Sequence, residues 1–217
     1  MSLAVYAIVG RAGTRPGMRG VANEPLRVIR VAALGAIVGE VKRPPRLSEA
    51  NLRKFASLMA RLAAAHPAIL PARFGTTMRD LDELEMVLGA RQKPLRQQLA
   101  HVRGRVQMTT RVVVSGRAGE RKQAAARKKT GAEYLRVKAA AQHASTIPEF
   151  APLQRAVARW VKDERVERKN KVVTVYHLVP ARCAVPYADA IEDAALASGA
   201  RGFVSGPWPP YAFADTW

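Results

Sequence analysis

The sequence predicts an α+β protein in two domains, the C-terminal one ferredoxin-like with an extra helix and followed by an extended Pro/aromatic tail. Three observations lead there. Short runs rich in Val and Ile, bounded by Gly and Pro, alternate with longer segments of helical period. The second half reads β-α-α-β-α-β, an order that suits an antiparallel or mixed sheet with helices on one face. The first half reads β-β-β-α-extended-α, a self-contained set, and 217 residues suffice for two modest cores. The expected division is 1–100, an α+β domain; 101–205, the ferredoxin-like domain; and 206–217, the tail. The two halves meet near residues 95–104.

Leu3 to Val9 is rich in β-formers and gives the first strand, although it alternates poorly. Gly10 to Gly20 has few apolar anchors and is a loop. Leu26 to Val31 and Ala33 to Val41 are two more strands, stopped by Pro44-Pro45. Ser48 is a helix N-cap, followed by Leu52, Phe55, Leu58, Met59 and Leu62 at helical spacing. Pro67 ends that helix near His66. Ile69 to Phe74 is short and extended. Thr77 with Asp80 fits a capping arrangement for a helix carrying Leu81, Leu84 and Leu88. Pro94 opens a further helix with Leu95, Leu99 and Val102 inside.

In the second half, Arg105 to Ser115 alternates Val106, Met108, Thr110 and Val112 with polar residues and is a strand. Gly116 to Ala141, mostly Ala, Lys and Arg, is a helix or a loop followed by a helix. Pro148 or Pro152 starts another helix, with Leu153, Val157, Trp160 and Val161 on one face, which runs into the mixed-charge stretch Lys162 to Lys171. Val172 to Val179 is a strand bounded by Pro180. Tyr187, Ala190, Ile191 and Ala194 give a helix to Ser198, ended by Gly199, and Phe203-Val204 is a last short strand.

Charge is the strongest compositional signal. The net value is +19, distributed as +6 over residues 1–90, +12 over 91–138 and +1 over 139–217. Such a field attracts polyanions or an acidic protein face. Arg121, Lys122, Arg127, Lys128 and Lys129 are the candidate residues for that contact. Tyr134 is the only aromatic of the basic segment, so base stacking has little support there, and a solvated helix or loop explains the charges as well. The sequence has no apolar run of the roughly 18 residues that a membrane span needs, and the N-terminus lacks a basic leader. A cytoplasmic location without membrane contact is expected. The single Cys183 can form no intramolecular disulfide, which fits a reducing compartment.

Catalytic and cofactor chemistry finds no support in the spacing. Gly10, Gly13, Gly17 and Gly20 follow a strand, but Pro16 interrupts and no Gly-Lys-Ser/Thr opens a helix. His66, His101, His143 and His177 are scattered without metal-ligand partners, and His177 is expected half-buried or solvated on its strand. Asp189, Glu192 and Asp193 read as a solvated helix face. No Ser-His-Asp or Cys-His arrangement has supporting context. The expectation is a protein that is not an enzyme and takes no metal or cofactor.

Two motifs carry more. Gly206-Pro207-Trp208-Pro209-Pro210-Tyr211-Ala212-Phe213 resembles the Gly-Pro-Trp-Pro-Pro-Tyr-x-Phe signature of the gas vesicle GvpF/GvpL family. Ile69-Leu70-Pro71-Ala72-Arg73-Phe74-Gly75-Thr76 is similar to the same family's Leu-Pro-x-Arg-Phe-Gly-Thr. Weaker matches at Tyr6 to Val9, Gly104 to Gln107, Gly131 to Leu135 and Leu178 to Pro180 follow in the family's order, although the family usually has Glu where Gln107 stands. The resemblance implies an accessory protein acting in gas vesicle assembly or as a minor vesicle component, located at the gas vesicle. Its partners would be the hydrophobic shell protein and other gas vesicle accessory proteins. An RNA- or polyanion-binding protein is the alternative.

Residue-level expectations follow. Arg73 should hold a carboxylate or carbonyls at the seam between the domains. Phe74 should be buried, and Gly75 should take a backbone conformation that other residues resist. The prolines give a stiff tail on which Trp208, Tyr211 and Phe213 offer apolar area for packing on its own domains or on a partner, with the former favoured.

Overall fold

The computed structural model describes residues 1–10, 17–114, 144 and 147–214. It divides into two compact units, one of residues 1–105 with 208–217, the other of residues 106–207.

The first unit is built on a sheet of order β2-β3-β1-β4, with β1 Ser2–Val9, β2 Leu26–Val31, β3 Leu34–Val41 and β4 Ile69–Pro71; β5, Thr77–Met78, also pairs with β1. All these pairings are antiparallel. The register between β1 and β3 shifts between Val5 and Ala7. This bulge explains the poor alternation of β1: Ala4, Tyr6, Ala7 and Val9 all belong to one apolar cluster. Leu3, Val5 and Ile8 are buried as well, so a seven-residue run is apolar because neither face meets water.

Helix α1, Glu49–Ala65, is capped by Ser48, whose hydroxyl accepts from the Asn51 N–H at 3.3 Å. Phe55, Leu58, Met59 and Leu62 join the cluster with Tyr6 and Ile37, whereas Leu52 is exposed. Helix α2, Leu81–Ala90, is capped by Asp80 rather than Thr77: the Asp80 carboxylate accepts from Glu83 N–H at 2.9 Å, and Glu83 accepts from Arg79 N–H at 2.6 Å. Thr77 instead lies in β5. Helix α3, Gln92–Val102, buries Leu95, Leu99 and Val102.

His66 closes α1 and is buried, with neither ring nitrogen hydrogen-bonded among the described residues. Burial lowers its pKa below the ordinary 6.5. The unfolded chain then binds a proton that the folded chain resists, so stability falls as pH drops through 6.5 toward the folded value. Melting temperature should decline more steeply between about pH 7 and about pH 5 in the unaltered protein than in His66→Leu. Parallel declines in the two proteins would refute this.

The second unit carries a sheet of order β7-β8-β6-β9, with β6 Arg105–Val113, β7 Asp163–Lys169, β8 Val172–Pro180 and β9 Gly202–Trp208. Helices α4, Ala151–Val157, and α5, Ala184–Ser198, pack together, and α5 ends at Gly199 in the left-handed region, φ +66°. The core joins Met108 and Val112 to Val173, Val175, Phe150, Leu153, Val157, Tyr187 and Ile191.

Two sequence expectations need correction here. The mixed-charge stretch after Trp160 is strand β7, not a helix continuation. A 3-10 turn over Ala158–Trp160 ends the helical run, and β7 pairs antiparallel with β8 through a tight turn in which Asn170 has φ +55°. Paired on one side only among the described residues, β7 behaves as an edge strand and tolerates Arg165, Glu167, Arg168 and Lys169 in water, and their charge hides its identity. The second correction concerns the tail. Gly206 to Trp208 belong to β9 and Tyr211–Phe213 form a 3-10 turn, so these residues are not a separate extended segment.

Candidate functional site

The two motifs lie 130 residues apart in sequence, yet both reach the first unit. Strand β4, which carries Ile69 to Pro71, contacts the Tyr211–Phe213 turn. Pro209, Pro210 and Phe213 are buried, while Trp208 and Tyr211 remain 45% and 38% exposed. Two prolines fix the backbone before the turn, so the aromatic side chains are held at small entropic cost. Next to β4, Gly75 adopts φ +83°, a conformation that favours glycine. Thr76 turns back on Arg73, its N–H and hydroxyl both donating to the Arg73 carbonyl, at 3.2 and 2.9 Å.

Phe74 and Arg73 depart from expectation. Phe74 is half-buried and meets Phe55 edge-on, with ring centroids 5.5 Å apart. The turn at Gly75 lifts it to the rim of the core rather than into it. The Arg73 side chain is exposed. Arg121, Lys122, Arg127, Lys128 and Lys129 lie outside the described residues.

Two buried polar groupings were not visible in the sequence. In the first unit the Tyr6 hydroxyl donates to Glu24 Oε1 and accepts from the Val21 N–H at 2.9 Å. Gly20 and Gly39 flank the Glu24 side chain so closely that a Cβ at either position would collide with it. Burial, then the bond to Glu24, pushes the Tyr6 phenol well above its ordinary range, which keeps it a donor. The glycines at 20 and 39 thus make room for a buried carboxylate. The glycine-rich loop from Gly10 to Gly20 could have suggested a close approach, but nothing local pairs Tyr6 with Glu24.

In the second unit His177 is fully buried, against the expectation of a half-buried or solvated ring. Val173, Val175 and His177 stand two apart on β8 and share the inward face, so strand periodicity held the signal. Glu164 Oε2 lies 2.8 Å from His177 Nε2, and the Tyr187 hydroxyl lies 2.7 Å from Nδ1. A carboxylate only accepts, so Nε2 donates to Glu164, and in the neutral ring Nδ1 accepts from Tyr187. Thr110 Oγ1 is 3.5 Å from that hydroxyl, and Glu164 Oε1 accepts from Ala144 N–H at 2.8 Å. Burial pushes the Tyr187 phenol up, consistent with its donor role. The network joins β6, β7, β8 and α5 and fixes one histidine tautomer.

The architecture defines a class first: an α+β protein of two sheet-based units, in which two distant motifs converge on β4 of the first. The chain belongs to the gas vesicle synthesis protein GvpL/GvpF family, whose model matches residues 3–215. Its fold is similar to the crystal structure of gas vesicle protein GvpF from Microcystis aeruginosa, with TM-score 0.74, 13% identity and 99% of each chain covered. It is similar also to that of GvpF from Anabaena sp. PCC7120, with TM-score 0.71, 13% identity, and 100% of this chain and 99% of that one covered. No curated protein sequence matches it significantly. The protein is thus gas vesicle-related, and no described helix is long and apolar enough to cross a membrane.

Proposed function

We propose that the protein is a non-enzymatic accessory protein of gas vesicle assembly, or a minor vesicle component, that binds the hydrophobic shell protein through the surface bearing Trp208 and Tyr211. The observation that carries this reading is the meeting of β4 with the Tyr211–Phe213 turn, which buries Phe213 while leaving Trp208 and Tyr211 partly exposed. Held aromatic side chains of this kind are typical anchors of protein interfaces. We read the second unit, whose β-α-β-β-α-β order comes with a sheet in the order fourth-first-third-second, as a ferredoxin-like scaffold.

The concentration of positive charge over residues 91–138 supports a second reading, polyanion binding. A capture assay with immobilised shell protein separates the two. Trp208→Ala with Tyr211→Ala should weaken capture by roughly tenfold or more, as loss of interface anchors does. Neutralising Arg121, Lys122, Arg127, Lys128 and Lys129 together should leave capture largely intact at physiological salt. Capture lost only in the charge variant, together with tight, salt-sensitive RNA binding by the unaltered protein, would reject the shell-protein reading in favour of polyanion binding.

A further inference from the structure

The outward face of the second sheet is open at the end of β6 that carries Arg111 and Val113, whereas Gln107 and Thr109 on the same face are buried. Met108 and Val112 on β6, and Val173, Val175 and His177 on β8, point into the core. Their alternates Arg111 and Val113, and Val172, Thr174 and Tyr176, therefore face the other way. The β7–β8 register sets Lys169 opposite Val172 and Glu167 opposite Thr174, which places these β7 side chains on the same outward face. On β9 a Cβ at Gly202 would meet Leu153 and Val112 on the core side, at 3.3 and 3.6 Å, so Phe203 points outward. Phe203 is 59% exposed, and Val113 and Val172 are exposed too.

Around the β7–β8 turn this face forms an open groove of about 670 Å³, lined by Arg111, Glu167, Lys169, Lys171, Thr174 and Tyr176 among others. Three cations stand there against one carboxylate. That carboxylate is already engaged, since the Tyr176 hydroxyl donates to Glu167 Oε2 at 2.8 Å. Arg111, Lys169 and Lys171 make no ion pair among the described residues, and Glu167 offsets one of the three charges, so the described lining of the groove is net positive.

We propose that this groove docks an acidic stretch of a partner polypeptide, its carboxylates meeting Arg111, Lys169 and Lys171 and its interleaved apolar side chains resting on Val113, Val172 and Phe203. Charge complementarity sets the sign of the partner. The mixture sets its class. A nucleic-acid strand would have to pass its phosphates over the Glu167 carboxylate, whereas a polypeptide can place an uncharged or basic residue at that point. Exposed Val and Phe are matched by aliphatic side chains, which a phosphate backbone lacks. The site shares no residue with the Trp208 and Tyr211 surface.

The test is a fluorescence-anisotropy titration of the full chain. The probes are a short labelled peptide alternating glutamate and leucine, its lysine-for-glutamate counterpart, and an oligouridine RNA. The acidic peptide should bind in preference to the other two. Arg111→Glu with Lys169→Glu and Lys171→Glu should weaken it by about tenfold or more and should turn the preference toward the lysine peptide. All three positions lie at the surface, and an unchanged melting temperature will show that the variant folds. Trp208→Ala with Tyr211→Ala should leave the acidic peptide's affinity unchanged, so failure here and failure of the shell-protein reading stay distinguishable. Equal affinity in the charge-reversed variant would overturn the proposal, and so would tighter oligouridine binding lost on reversal. Peptide binding abolished by the aromatic double variant alone would overturn it as well.

Discussion

Replacing His177 with alanine should lower the unfolding free energy by about 3–5 kcal/mol, the range for removing one member of a buried hydrogen-bonded charge network. Three costs combine. The ring is fully buried, so its removal leaves a cavity against Phe150 and Tyr187, whose rings lie 5.9 and 5.8 Å from it. The Tyr187 hydroxyl loses its acceptor at 2.7 Å and, among the described residues, keeps only Thr110 at 3.5 Å. The Glu164 carboxylate, whose side chain is 14% exposed, loses its charge-assisted donor. Urea unfolding measures the total. Tyr187→Phe, which removes one hydroxyl and little volume, should cost about 1–3 kcal/mol. The two changes should be strongly non-additive, because both delete the same bond. A loss below about 1 kcal/mol for His177→Ala would mean that the network is not formed as described.

The second large effect is Phe150→Ala, expected at about 3–5 kcal/mol because the ring is fully buried in the core of the second unit. Phe74→Ala provides the internal comparison. Full burial would give it the same cost, but a half-buried ring touching Phe55 edge-on removes less area from water, and roughly half the effect is expected. Calorimetric melting of both variants decides the matter. If Phe74→Ala proves at least as damaging as Phe150→Ala, the rim position assigned to Phe74 is wrong.

Local rules made part of this fold legible. Ser48 caps a helix because its hydroxyl reaches Asn51 N–H, and Gly199 ends one because it takes φ +66°. Both depend on neighbours a few residues away, which a sequence displays directly. Strand β7 escaped because hydrophobic period is the main strand signal, and an edge strand bathed in water carries little of it. Spacing points to Thr77 with Asp80 as the capping arrangement, whereas the box forms three residues later, between Asp80 and Glu83. The polar groupings escaped for a different reason. Tyr6 and Glu24, or His177 and Glu164, meet only after strands pair, so no local window contains both partners. The motifs at Ile69 to Thr76 and Gly206 to Phe213 were readable as words, but their meeting on β4 is a tertiary fact.

The first unit is discontinuous: residues 1–105 are joined by 208–217, with the whole second unit between them. On a ribosome this imposes an order. The stretch from residue 106 to 207 leaves the exit tunnel before residues 208–217 and has its own core residues to hand. Strand β4, made long before, waits for Phe213 until the second unit has been synthesised. Throughout that interval the nascent first unit offers the apolar surface at β4 that Phe213 will cover, a window in which a chaperone or another growing chain can reach it.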